Sequence, residues 1–168
     1  MRNRTMAGRF AAALFAGSLT ALCLLAPSAS AAQRSWSPDP RGPGDTYPGN
    51  WHCNTGPYVD ACVINSHNGT QPVYKAVMVV KNDTNLGIQL SAPVINMWAG
   101  PSTSKQIRDD GCYNSGLSSE YAAACYGTAA TLSVVCSIKP GATYVTANAA
   151  VNVDGARQTK VSMVEVNC

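Results

Sequence analysis

Apolar and polar residues alternate at every second position through much of this chain. The pattern is clear in residues 143–153 and in residues 73–81, although both faces of the second segment are apolar in its middle. A period of two is typical of β-strands, and Asp154 with Gly155 forms a strong hairpin signal after residues 143–153. Further segments of this kind are residues 58–65, 86–90, 93–99, 131–138 and 156–167, with residues 106–108 as a possible edge. Seven or eight short strands predict an antiparallel β-sandwich.

One segment, residues 117–126, is predicted to contain helix. Ser118 and Ser119 are suitable caps for a turn that continues through residues 121–124. No internal repeat or coiled-coil period competes with the strand pattern. The expected fold class is therefore all-β, with one short helical turn.

The first residues form a separate region. Arg2, Arg4 and Arg9 precede an apolar run, residues 10–27, which is short for a membrane span, and small residues follow at 29–32. This predicts a secretory signal peptide, residues 1–32, and an extracellular protein. A lipoprotein site is not expected at Cys23, because Leu22 before it is too large.

Loss of the signal peptide changes the charge of the protein. Removing three of the 12 basic residues leaves nine, equal to the 9 acidic residues, so the secreted chain is neutral. It has no basic cluster. Neither nucleic acid nor a membrane surface is therefore an expected partner.

Six cysteines remain in the secreted chain, and an even number in an oxidising compartment predicts a disulfide framework. A metal site is not expected, because there is no Cys-x-x-Cys pair and His52 and His67 lack ligand spacing. No cofactor is expected either. The six are Cys53, Cys62, Cys112, Cys125, Cys136 and Cys168.

The pairing of these cysteines stays open among fifteen possibilities. Cys53 with Cys62 and Cys112 with Cys125 each span a short loop, which leaves Cys136 with Cys168. A meander of strands 131–138, 143–153 and 156–167 would separate the last two by roughly 10 Å, whereas bridged Cα atoms lie about 4.4 to 6.8 Å apart. Either the first strand crosses to the other sheet, or the pairing is different.

Residues 33–50 differ in composition from the β domain predicted at residues 51–168. Four prolines and three glycines exclude helix and predict an extended arm that contributes little to the core. Trp36, Arg41 and Tyr47 lie on this arm and Trp51 at its root; such side chains often anchor interfaces, so all four are candidate partner-binding residues. Between Pro40 and Gly42, Arg41 is expected to be displayed. The arm is a ligand for a partner's cleft, a segment docked on its own domain through Trp36, or a spacer.

Candidate catalytic residues are few. His52 and His67 have no recognisable catalytic neighbour and are expected at the surface, and Asp109 and Asp110 precede a glycine as turn residues do. A glycosidase pair would have to be assembled in space from Asp60, Glu120 and Glu165. No residue is assigned a catalytic role.

The organisation of the chain resembles that of the small adaptor subunit of umbrella toxin particles, which filamentous soil bacteria secrete against competitors. The likeness consists of a signal peptide, the arm WSPDPRGPGDTYPGNW and a disulfide-bonded β domain that ends on VEVNC. It implies a non-enzymatic protein whose arm enters a cleft on a lectin-bearing subunit with a protease-like fold. The globular part would hold the repeats of a stalk protein.

Three functions follow as expectations. The first is a secreted, non-catalytic adaptor that bridges other secreted proteins in an antibacterial toxin complex, one partner through the arm and a second through the β domain. The second is an inhibitor of an extracellular hydrolase, acting through Arg41 or a rigid disulfide loop. The third is a small secreted hydrolase.

Overall fold

The computed structural model describes residues 32–101 and 105–168. Of the predicted signal peptide, residues 1–32, only Ala32 falls within this part. The elements are β1 (Ala32–Arg34), β2 (Ser37–Pro38), β3 (Trp51–Asn54), β4 (Val59–His67), β5 (Pro72–Lys81), β6 (Ile88–Ala99), β7 (Lys105–Cys112), β8 (Ser115–Leu117), β9 (Ala122–Tyr126), β10 (Ala130–Thr131), α1 (Leu132–Ile138), β11 (Tyr144–Val153) and β12 (Ala156–Glu165). Within these residues no helix is long and apolar enough to cross a membrane.

The strands form two sheets, which confirms the predicted sandwich. Sheet A has the order β1-β7-β6-β11-β12, with β8 also paired to β6, and sheet B has the order β2-β9-β5-β4-β3, with β10 also paired to β5. Among the described residues every ladder is antiparallel except that of β1 with β7. The fold is therefore all-β with mostly antiparallel sheets.

The main core lies between the two sheets and explains the period of two. Alternate residues of each long strand point inward, and Val63, Met78, Ile95, Met97 and Val145 are fully buried there. Asp154 and Gly155 join β11 to β12 with φ values of 48° and 82°, the left-handed backbone that a tight hairpin needs.

The two strands predicted at residues 86–90 and 93–99 form one strand, β6. Its irregularity falls between them, because Ala92 has a φ of 48° and the register with β11 shifts between Ala150 and Asn152. The bulge bends the strand without ending it.

Two element assignments from the sequence are wrong. Residues 117–126, predicted as helix, hold the end of β8, a turn and β9, which lies between β5 and β2. Residues 131–138, predicted as a strand, hold the helix α1, and the Thr131 hydroxyl caps it by accepting a hydrogen bond from the Val134 amide at 3.4 Å.

Three disulfides join Cys53 to Cys62, Cys112 to Cys125 and Cys136 to Cys168. The first links the neighbouring strands β3 and β4, and the second links β7 of sheet A to β9 of sheet B. The third has a Cα separation of 5.2 Å. Its predicted geometric conflict disappears because Cys136 lies on α1 and not in a meander.

Residues 33–50 lie along the domain, which corresponds to the self-docked alternative. β1 extends the edge of sheet A, β2 extends the edge of sheet B, and the chain then crosses the outer face of sheet B to reach β3. A second apolar cluster lies on that outer face, with Tyr47 and Trp51 packed over it. The cluster consists of Cys62, Val77, Val79 and Ala124, each 0% exposed. The segment thus forms a partial third layer, and the expectation that it adds little to the core is not met.

Candidate partner-binding surfaces

Trp36 lies where the chain passes from sheet A to sheet B. Its indole N–H donates to the Tyr113 carbonyl at 2.8 Å, and the ring packs, partly buried, against the main core. The Ser35 carbonyl next to it is 3.9 Å from Cys112 Sγ. This stretch therefore covers the disulfide that joins the two sheets.

A buried carboxylate holds the first part of this segment. Asp110 is 1% exposed and accepts hydrogen bonds from the Thr128 hydroxyl and amide, both at 2.7 Å, and from Arg34 Nε at 3.4 Å. Its assignment to a turn was wrong, because β7 continues through Asp110 to Cys112. The pair Asp109 and Asp110 before a glycine gives no local signal of this burial.

A second buried carboxylate holds Tyr47. The Tyr47 hydroxyl donates to Asp60 at 2.6 Å, and Asp60 also accepts from the Gly56 amide at 2.8 Å and from Lys81 Nζ at 3.1 Å. Burial, and then the hydrogen bond to Asp60, raises the pKa of Tyr47. Tyr47 stacks on Trp51 with ring centroids 5.5 Å apart. Two of the four candidate anchors are thus in contact with each other.

Arg41 is not displayed as the sequence suggested. Its side chain is only 10% exposed, with hydrogen bonds to Asp39 at 2.8 and 2.9 Å and an ion pair with Asp45 at 3.2 Å. The hydrogen bond from Arg41 lowers the pKa of Asp39. The Gly42 amide donates to the Thr46 carbonyl at 2.9 Å, so residues 39–46 form a closed loop around the guanidinium, called here the Arg41 loop.

The outer face of sheet A presents a second candidate surface. Asn96 and Trp98 of β6 alternate with the core residues of that strand, and Thr146 pairs with Trp98 on one side and with Met163 on the other. Met163 is 52% exposed. Asn96 Oδ1 and Trp98 Nε1 are buried and have no hydrogen-bond partner within the described part of the chain. Thr146 itself is 0% exposed, and its hydroxyl donates to the Gly100 carbonyl at 2.8 Å. We call Asn96, Trp98, Tyr144, Asn148, Val161 and Met163 the sheet A face.

Sequence reasoning missed this face, although the alternation in residues 93–99 contained the signal. Whichever residues flank the buried Met97 must point to the opposite side of the sheet. The sequence pattern does not show whether another layer covers that side of sheet A, as residues 33–50 cover the outer face of sheet B.

The candidate acids and histidines lie apart from one another. His52 and His67 are exposed, as expected. Asp60 and Glu165 point to the outer faces of opposite sheets, because each alternates with residues of the core between them. Glu120 is exposed in the turn before β9. Among the described residues no three His, Cys, Asp or Glu side chains form a group that would hold a metal ion.

Comparison of the chain with protein-family models and with curated proteins found no match in either case.

Proposed function

We propose that the protein is a secreted, non-catalytic adaptor that bridges subunits of an extracellular antibacterial toxin complex. The observation that carries this proposal is the position of two dissimilar surfaces on opposite sides of the sandwich. The Arg41 loop belongs to the layer on sheet B, and the sheet A face lies on the other side. A protein with this arrangement binds two partners without steric conflict between them. The resemblance in chain organisation supports the same role.

The Arg41 loop is suited to enter a cleft on the first partner. Residues 42–46 are exposed, while the ion-paired Arg41 side chain and the hydrogen bond from Gly42 to Thr46 fix the backbone behind them. A loop that is ordered before binding loses less conformational entropy on association. The proposed contact of the arm with a partner is therefore made by this loop, with Tyr47 and Trp51 as its support.

The sheet A face is suited to the second partner. It holds tryptophan, tyrosine and methionine, which are enriched in protein interfaces. The exposed carboxylates of Asp109 and Glu165 border it, because they pair with Asn96 and Tyr144. The amide oxygen of Asn96 and the indole nitrogen of Trp98 are buried beneath this face, without a hydrogen-bond partner among the described residues. Because apolar and amide side chains make up this face, we expect a partner surface with amide and hydroxyl groups around an apolar centre.

The alternative role as a hydrolase inhibitor acting through Arg41 is less consistent with the geometry. An inhibitory arginine must extend into the specificity pocket of the enzyme. The Arg41 side chain instead lies against Asp39 and Asp45 within its own loop.

The proposal is tested by affinity purification of the tagged protein from culture supernatant, followed by mass spectrometry and crosslinking. We expect two partners. Met163→Arg should reduce recovery of one of them by at least about tenfold, as for a central interface contact. Asp45→Lys, which reverses a charge in the exposed part of the Arg41 loop, should reduce recovery of the other.

Each variant serves as the control for the other, since the two surfaces are separate.

Ser37 of β2 pairs directly with Ala124 of β9, so the double variant Ser37→Cys with Ala124→Cys would lock the N-terminal segment onto the domain. If the loop enters the cleft, the locked protein still binds its first partner. Recovery of neither partner, or loss of both from either single variant, would contradict the adaptor role.

A further inference from the structure

An open groove lies at the edge of the sandwich, between the strand β2 and the turn before β9. It has a volume of about 620 Å³ and is lined by Trp36, Pro38, Leu117, Tyr121 and the alanines of β9. Tyr121 is 66% exposed and forms one wall. Of the residues that line the groove, only Asp39 belongs to the Arg41 loop and none belongs to the sheet A face.

The floor of the groove is apolar and its aromatic ring is fixed in place. The indole N–H of Trp36 is already bonded to the Tyr113 carbonyl, so its polar group is occupied and Trp36 contributes apolar surface to the groove. The methyl groups of Ala122 and Ala123 leave space beside it.

One carboxylate at the rim is free to bind a ligand. Of the two acids that line the groove, Asp39 is engaged by Arg41. Glu120 is exposed, and its side chain makes no hydrogen bond or ion pair with any other described residue. The uncompensated charge at the groove is therefore negative.

The turn that presents Glu120 and Tyr121 is held by a buried amide. Asn82 is 0% exposed, and its side-chain NH₂ donates to the carbonyls of Leu86, Leu117 and Ser118 at 2.7 to 3.1 Å. The Asn82 carbonyl accepts from the Glu120 amide at 2.7 Å. Glu120 has a φ of 62°, a conformation unusual for glutamate that persists where the surroundings enforce it.

We propose that this groove binds an arginine side chain on an extended, apolar segment of a partner protein. A guanidinium stacks on an aromatic face and pairs with a carboxylate at the same time, and Tyr121 and Glu120 are neighbours in one turn. The apolar residues around the arginine would pack on Trp36 and Pro38. This inference goes beyond the adaptor role and holds whichever proteins the two other surfaces bind.

The probe for the test is a capped peptide, Ala-Leu-Arg-Leu-Ala, with a second peptide that carries citrulline in place of arginine. Citrulline keeps the shape and removes the charge. Amide shifts of the isotope-labelled protein are measured by NMR as either peptide is added to millimolar concentration. We expect shifts at residues 120–123 and a roughly fivefold preference for arginine, as one exposed ion pair and one cation–π contact provide.

Matched variants assign the preference to the groove. Glu120→Gln should abolish it, whereas Glu165→Gln, at the other exposed glutamate, should preserve it. Tyr121→Ala should weaken binding of the arginine peptide without a change in melting temperature, because the ring is mostly exposed. The proposal is overturned if arginine and citrulline peptides bind equally, if the shifts lie elsewhere or do not occur, or if Glu165→Gln has the effect of Glu120→Gln.

Discussion

Two buried aspartates, one on each sheet, hold the N-terminal segment on the domain. Asp110 is bonded to Arg34 and Asp60 to Tyr47, and both aspartates are 1% exposed. A buried charge is tolerated when it is paired and fully hydrogen-bonded, and removing one partner leaves it uncompensated. These contacts should therefore be more sensitive to mutation than ion pairs on the surface.

Tyr47→Phe tests the contact with Asp60. The variant keeps the ring stacked on Trp51 and removes one donor to the carboxylate, so the free energy of unfolding should fall by about 1 to 3 kcal/mol. Urea denaturation at pH 7 measures this. Tyr113→Phe is the matched control, because Tyr113 is 53% exposed, and it should change stability by less than about 0.5 kcal/mol. Equal effects of both variants would argue against the buried hydrogen bond.

The same tyrosine should make the protein sensitive to alkaline pH. Burial and Asp60 raise the pKa of Tyr47 above its usual value of 10.0, so the folded state keeps the proton at a pH where the unfolded state loses it. The stabilisation is complete below pH 10 and is lost as pH rises above it. The stability difference between wild type and Tyr47→Phe should therefore shrink above pH 10 in urea titrations. A difference that stays constant up to pH 11.5 would contradict this cause.

The candidate anchors could be found from the sequence, but not their contacts. Trp36, Tyr47 and Trp51 stand out because aromatic residues are rare in a Pro- and Gly-rich segment. Their large surfaces favour burial against any apolar face, whether of a partner or of the same chain. The apolar cluster on the outer face of sheet B decides that these residues pack on their own chain. The sequence indicated this cluster, because both faces of residues 73–81 are apolar in the middle of the segment.

Long strands were predicted well and the short elements between them were not. Residues 143–153 and 156–167 alternate strongly because one face of each contacts the core. Residues 122–124 are all alanine, which favours helix, yet they form part of β9, between β5 and β2 and under the layer that crosses sheet B. Residues 132–138 are rich in β-branched side chains, yet a cap at Thr131 begins a helix. Tertiary contacts outweigh propensity in such short segments.

Deletion of residues 33–50 should destabilise the domain strongly. The deletion removes Trp36 and Tyr47, uncovers the second apolar cluster and leaves Asp60 without one of its donors. We expect a loss of at least about 3 kcal/mol in the free energy of unfolding, the usual cost of truncating one large buried aromatic. Chemical denaturation followed by circular dichroism measures it. An unchanged midpoint would show that the segment is a dispensable arm, as the sequence alone suggested.

At the scale of the whole molecule, two of the three disulfides connect parts of the structure that no described strand ladder joins. Cys112 with Cys125 fastens one sheet to the other, and Cys136 with Cys168 fastens α1 to the end of the chain. The even cysteine count predicted a framework. Sequence spacing alone left the pairing open, because the distance between Cys136 and Cys168 depends on whether residues 131–138 are a strand or a helix.

Loop length ranks the expected contribution of each bridge. The cysteines are separated by 9, 13 and 32 residues. Constraint of the unfolded chain then predicts stabilisation of about 2.6, 2.9 and 3.7 kcal/mol in the same order, if loop entropy dominates. Paired Cys→Ser variants, compared by urea denaturation, should therefore show the largest loss for Cys136 with Cys168. If removal of the Cys112–Cys125 bridge instead lowers the free energy of unfolding most, this link between the sheets also stabilises the folded state, in addition to constraining the unfolded chain.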